Sequence, residues 1–183
     1  MKIKEIKAFP LAYPEPHYKG IERYITLARV ETEDGLVGWG ECISQFREAA
    51  LATKTIIEQG FAPLLVGQNV IDGDRLWHIM QDRIWWYGPE GIAAFAVSAV
   101  DMALWDVKGK ALGQPVCQLL GGKVHDKVIA MASFIFDMED IDWTLNEFRW
   151  LIEQGYHMVK AGWGMHRQAL FGQNHKADID IVR

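Results

Sequence analysis

A chain of 183 residues that is half hydrophobic, 23% charged and contains eight tryptophans is a globular protein of one domain or two small ones, not a disordered segment. Its formal charge of −5 argues against nucleic acid or an anionic membrane as partner, but leaves an acidic small molecule open, because a local field can oppose the net charge. Two cysteines without paired spacing, Cys42 and Cys117, argue against a disulfide framework or thiolate zinc site and fit a reducing cytoplasm.

The first eleven residues alternate polar and apolar types and lack the continuous apolar core of a signal peptide. Residues 3–9 are predicted as a strand that ends near Pro10, and residues 14–20, with two prolines, as a loop. Residues 23–32 (RYITLARVET) read as a second strand, Glu33-Asp34-Gly35 as a turn and residues 36–41 as a third strand. Connections this short give an antiparallel meander. The period then becomes helical over residues 48–60, 74–86 and 91–112. The longest apolar stretch, 91–100, is too short to span a bilayer and runs into Asp101 and Asp106, so it is a core helix. Together these elements make an α+β domain of roughly 120 residues, an ordinary domain size.

The tail has a different grammar. Residues 128–134 form a strand-like apolar run, residues 140–154 an amphipathic helix closed by Gly155, and residues 156–161 a further strand. Strand, helix and strand at this spacing make a βαβ unit with a parallel pair. Such a unit alone leaves open edges and an uncovered face, and reads as the start of a barrel that residues 1–183 do not finish. The predicted fold is therefore an α+β domain, residues 1–122, followed by the first βαβ unit of an incomplete (β/α) barrel, residues 123–183. The polar end of the chain, with Asp178 and Asp180, reads as an amphipathic helix.

The most specific stretch is residues 98–122, SAVDMALWDVKGKALGQPVCQLLGG. Ala99, Met102, Ala103, Trp105 and Leu112 lie close to helical spacing, with alanines small enough for another backbone to approach. Gly113 followed by Pro115 is a helix stop, and residues 116–120 add one apolar turn before Gly121-Gly122. This run resembles the signature of the mandelate racemase/muconate lactonizing group of the enolase superfamily. Residues 32–41 (TEDGLVGWGE) resemble that group's second hairpin, 123–133 its entry into the barrel and 155–164 (GYHMVKAGWG) its second barrel strand.

The resemblance implies an N-terminal capping domain over a modified barrel, with the active site at the C-terminal ends of the barrel strands. The implied chemistry is abstraction of the proton α to a carboxylate, with Mg²⁺ stabilising the enediolate and a Lys or His moving the proton. It further implies a small carboxylate or acid-sugar substrate and a homo-oligomer, and no nucleic-acid or membrane partner. In the group, the second barrel strand usually ends in Lys-x-Lys, the second lysine being the base. Here Lys160 fills the first position and Gly162 the second. Glycine moves no proton, so Lys160 is the expected catalytic residue. One-base chemistry, an acid-sugar dehydration, is favoured over racemisation, epimerisation or cycloisomerisation. Without the resemblance, Lys160 is an ordinary exposed strand-end lysine.

The group's metal ligands come from later barrel strands, so no residue of this chain is assigned to the metal. The acidic cluster Asp137, Glu139, Asp140 and Asp142 is expected to cap the following helix. Two capping loops, residues 15–21 and 43–47, would drop over the barrel mouth. They make His17, Tyr18, Ser44, Phe46 and Arg47 the expected substrate-binding residues, with Trp163 after the Lys160 strand. No phosphate-binding glycine loop, nucleophile elbow or HExxH pair is present. His166 and His175 lie in a polar tail and are expected to be solvated. Asp101 and Asp106, five apart, do not share a helix face and are expected to be buried structural partners. Trp85-Trp86-Tyr87, at a helix end, is expected in the core or a subunit interface. If the polypeptide ends at Arg183, the alternative is a catalytically inactive N-terminal fragment or interaction module without a metal site.

Overall fold

The computed structural model describes residues 1–135, 137 and 140–162, together with Lys176 and Ile179. Trp163, His166, His175, Glu139, Asp178 and Asp180 lie outside the described residues. The chain falls into two compact units, Met1–Pro14 with Glu22–Val124, and Glu15–Ile21 with His125–Arg183.

The first unit is built on a three-stranded sheet in the order β1 (Ile3–Glu15), β2 (Ile21–Thr32), β3 (Val37–Ile43). β2 and β3 are antiparallel, in a register from Ile25 opposite Ile43 to Glu31 opposite Val37. Alternation sends Thr26, Ala28, Val30 and Thr32 of β2 inward, with Ile6 and Ala8 of β1, and Ile3 is buried at the start of β1 out of that period. The expected turn closes the hairpin: Gly35, at φ +85°, donates its N–H to Thr32 O at 3.0 Å. β1 extends past Pro10 to Glu15, beyond the predicted end at residue 9. It is an edge strand, where a missing N–H is tolerated.

Helix α4 (Ile92–Leu112) covers the inner face of β3. Its contact explains Gly38 and Gly40. A Cβ on Gly38 would lie 2.2 Å from Ala103 O, and one on Gly40 would lie 2.0 Å from Ala99 O. The helix thus packs backbone to backbone on the strand through its alanines. The predicted stop is a Schellman motif: Gly113, at φ +62°, donates to Lys110 O at 3.3 Å and Gln114 N–H to Gly109 O at 2.9 Å. Pro115 follows, opening the short helix α5 (Val116–Leu119).

The predicted helix over 48–60 is α1 (Arg47–Thr55), continued by a π-turn (Ile56–Phe61) and α2 (Ala62–Leu65). The widened turn lies just before Pro63, whose ring has no N–H and would crowd the carbonyl four residues back. Ile57, Phe61 and Leu65 stay fully buried across it. α3 (Gly73–Ile84) buries Leu76, Met80 and Ile84 at spacing four, each worth about 1.5–3 kcal/mol of apolar burial. It stops two residues short of the predicted end, so Trp85, Trp86 and Tyr87 leave the helix and stand 70%, 80% and 53% exposed. They are not part of this chain's core.

The second unit holds β4 (Ala132–Ile135), α6 (Ile141–Glu153) and β5 (Val159–Gly162), the two strands parallel. β4 is shorter than the predicted 128–134, and Val128 and Ile129 ahead of it are exposed. Ala132, Phe134 and Leu151 are its buried apolar side chains among the described residues, flanked by Trp143, Phe148, Val159 and Ala161.

Candidate functional site

The start of α6 is organised by two aspartates. Asp140 is the N-cap, accepting Trp143 N–H at 3.0 Å, and Asp137 Oδ1 accepts Asp140 N–H at 3.2 Å. Thr144, buried, closes the turn: its hydroxyl donates to Asp137 O and accepts from Asp137 N–H, each at 3.0 Å. The Trp143 N–H first, and the Lys19 ammonium second, hold the Asp140 carboxyl below its ordinary value of 3.8. Capping is the role expected of these residues. Among the described residues, no group of three His, Cys, Asp or Glu side chains could hold a metal ion.

The segment Glu15–Ile21 lies against this turn and along α6. Lys19 Nζ donates to Asp137 Oδ2 at 2.5 Å and to Asp140 Oδ2 at 3.0 Å, and sits 5.1 Å from the centroid of the Trp143 ring. Its two carboxylates raise the lysine above the usual range. His17 contacts Glu147 Oε2 through Nδ1 at 2.9 Å and stacks on Trp150, ring centroids 4.6 Å apart. Tyr18 closes the short 3₁₀ turn Pro16–Tyr18. Lys19, Glu147 and Trp150 were not singled out in the sequence. A signal was present: Trp143, Glu147 and Trp150 recur at four and three residues, one face of α6.

Strand alternation settles where Lys160 stands. Ala132 and Phe134 of β4, with Val159 and Ala161 of β5, pack in the cluster around α6. Lys160 pairs in register with Ser133 and Gly162 with Ile135, so these four share the face away from the helix. Gly162 meets none of the constraints that demand a glycine. Its φ lies outside the left-handed region, and no described atom comes within 4 Å of an added Cβ.

The other expected loop belongs to the first unit. Ser44 and Gln45 both donate their N–H to Tyr24 O at 3.0 Å, and Phe46 N–H reaches back to Ser44 O at 2.7 Å. Gln45 lies at φ +62°, a conformation that disfavours a side chain. Ser44 is buried with its hydroxyl 2.9 Å from that of Thr26, so it anchors the loop. Phe46, half exposed, and Arg47, the first residue of α1, stand outside. Cys42, just ahead, is buried and its thiol is pushed up to about 11. On α4, Asp106 accepts the Trp39 N–H at 2.8 Å and pairs with Lys110, so it is a structural partner of backbone, but neither it nor Asp101 is fully buried as expected.

A model of the mandelate racemase / muconate lactonizing enzyme N-terminal domain matches residues 18–121. The chain belongs to this family. A D-galactonate dehydratase family member of Streptomyces bingchenggensis is 36% identical over 145 residues, which cover 78% of this chain and 34% of that protein. The 3,6-anhydro-D-galactonate cycloisomerase of Zobellia galactanivorans superposes with a TM-score of 0.80 at 28% identity, over 100% of this chain and 48% of its own. A mandelate racemase/muconate lactonizing protein of Paracoccus denitrificans PD1222, solved in complex with magnesium, gives 0.74 at 32% identity, over 88% and 42%.

The chain thus spans about a third of the length of the curated relatives it matches and less than half that of the solved structures. The three-stranded sheet with its helices is the capping domain of that family, and the parallel β4–β5 pair follows it. No helix among the described residues is long and apolar enough to cross a membrane.

Proposed function

We propose that this chain is part of an enolase-superfamily acid-sugar dehydratase in which Lys160 works on the carbon α to the substrate carboxylate. The observation that carries the proposal is the placement of Lys160. It stands near the C-terminal end of a parallel strand, on the face turned away from the covering helix. Barrel enzymes put their reacting groups at that end of that face. The β4–β5 pair is taken as the start of such a barrel.

Lys160 Nζ carries either of two tasks. As ammonium it pairs with the substrate carboxylate and favours the charge that builds there. As free amine it takes the α proton and becomes ammonium; the C–O bond to the β-hydroxyl then breaks as that ammonium returns the proton to the departing oxygen, so water leaves and the amine is restored. Gly162 offers no second amine on the same face. That favours dehydration over a racemisation, epimerisation or cycloisomerisation that needs a second group from this strand. His17 and Tyr18 from one loop and Phe46 and Arg47 from the other are proposed to contact the polyhydroxy chain, with Ser44 holding its loop in shape. Trp163 is kept in the same role on its position in the sequence. Magnesium is proposed for the whole enzyme, with ligands outside residues 1–183, since the family's metal ligands come from later barrel strands. A cytoplasmic homo-oligomer fits the composition and the exposed Trp85-Trp86-Tyr87 group.

The test is turnover of a panel of acid sugars by the purified protein with magnesium, beside Lys160→Ala. Substitution is expected to lower kcat by about 10²–10⁴-fold. Unchanged turnover in Lys160→Ala overturns the role of the lysine. The second reading is an inactive fragment or interaction module. An intact mass near 20.8 kDa with no turnover would favour it.

A further inference from the structure

The segment Glu15–Ile21 follows β1 and precedes β2, yet it groups with the second unit and not with its own hairpin. Five observations say that this seating is built. Lys19 reaches two carboxylates at once, at 2.5 and 3.0 Å, and both belong to the turn that starts α6. Its ammonium lies over Trp143, whose backbone N–H caps onto one of those same carboxylates. His17 meets Glu147, one turn past Trp143 and about two past Asp140, and stacks on Trp150 beyond it. Lys19, the C-cap of the turn Pro16–Tyr18, holds a left-handed φ of +54°, an uncommon conformation for a lysine. Gly20 then donates its N–H back to Glu15 O at 3.0 Å, closing the segment on itself.

We propose that Lys19, with Asp137 and Asp140, and His17, with Glu147, form a two-point clasp that seats this loop at the C-terminal end of β4. Lys19, Asp137, Asp140 and Glu147 act as positioning residues: they set where His17 and Tyr18 stand. The chemistry suits a device that opens and closes. Partly exposed ion pairs exchange with water at small net cost, whereas an apolar seat would hold the loop shut. Spacing sharpens the point. The two clasp points on α6 lie about two helical turns apart, so the segment is fixed in direction as well as position. The role in admitting substrate rests on the function proposed above; the clasp itself does not.

Trypsin provides a direct readout, because cleavage between Lys19 and Gly20 requires the lysine to leave its carboxylates. Limited digestion of the purified protein, followed by mass spectrometry, is run on wild type, on Asp137→Asn with Asp140→Asn, and on Glu147→Ala. Asparagine keeps the capping hydrogen bonds and removes the charge, so α6 is expected to survive. Cleavage after Lys19 is expected to be at least tenfold faster in the double variant and to rise less in Glu147→Ala. Cleavage after Arg23 and Lys54 should not change. Equal rates after Lys19 in all three proteins overturn the clasp, as does wild-type cleavage as fast as that of an unfolded peptide. In a turnover assay, the double variant is expected to raise KM for acid sugar more than it lowers kcat. Faster cleavage without acid-sugar turnover in any form leaves the clasp standing and removes the proposed function. Turnover with flat cleavage rates does the reverse.

Discussion

The two units are stabilised in different ways. Around α4, the first unit is dry: Ala99, Val100, Ala103 and Val107 are fully buried, and the helix touches β3 backbone to backbone at Gly38 and Gly40. The second unit buries Ala132, Phe134 and Leu151 among its described residues, and adds ion pairs and stacked rings that tie a distant loop to α6. A close-packed interface favours one arrangement, because a gap of under about an ångström already forfeits roughly a quarter to a half of its attraction. A clasp of partly exposed charges tolerates opening. A rigid cap and an adjustable loop seat are thus written in the two kinds of contact.

The sharpest way to break this contrast is a single methyl group. Gly40→Ala places a Cβ about 2 Å from the Ala99 carbonyl, where only a shift of helix or strand relieves the clash. The expected loss is about 3 kcal/mol or more, seen as a large fall in Tm. Gly162→Ala is the matched control in the second unit, where no described atom lies within 4 Å, and it should stay within about 0.5 kcal/mol of wild type. Equal effects at the two positions would show that α4 and β3 are not locked as described.

A smaller effect is expected of the clasp under acid. Asp140 is held below its ordinary value by the Trp143 N–H and by Lys19, with Asp137 opposing. A carboxyl so depressed contributes stability above its unfolded value of 3.8, and that contribution drains away as pH falls through the lower folded value. The loop should therefore stay seated from neutral pH down to about 4 and loosen below it. The Gly20 amide resonance, followed by NMR, is expected to move over that window in wild type and not in Asp140→Asn. A Gly20 resonance that ignores acid would separate the loop from Asp140.

How much of this was legible in the sequence follows the same divide. Alternation along β2, the turn at Gly35 and the Gly113–Pro115 stop are local signals, and each appears where it was read. The resemblance carried by residues 98–122 reached the family because α4 must present alanines to a glycine-bearing strand. Pro10 misled, since a proline ends a central strand but not an edge strand. For Trp85-Trp86-Tyr87 the sequence left core and subunit interface open, and the helix ending two residues early removes the core alternative, leaving the three side chains exposed. The clasp was out of reach for a deeper reason. Lys19 and Asp137 are 118 positions apart, and no periodicity reports a pairing over that distance.

The smallest expected effect tests whether the packed unit carries any electrostatic cost of its own. Asp101 lies half-buried on α4, and burial first, then the charge of Asp74 on α3, push its carboxyl above the usual 3.8. A raised acid favours its neutral form in the fold, so its contribution is greatest below 3.8 and declines as pH climbs through the raised folded value. At pH 7 the ionised group is therefore a mild burden. Asp101→Asn keeps the shape and removes the charge, and is expected to raise stability. Because the group retains contact with water, screening limits the gain to roughly 0.5 kcal/mol, a few degrees of Tm at most. The gain should vanish at pH 3, where the wild-type carboxyl is already protonated. A loss at pH 7 instead would assign Asp101 a partner that needs its negative charge, and would make the face of α4 toward α3 less purely apolar than its neighbours Val97, Val100 and Leu104 suggest.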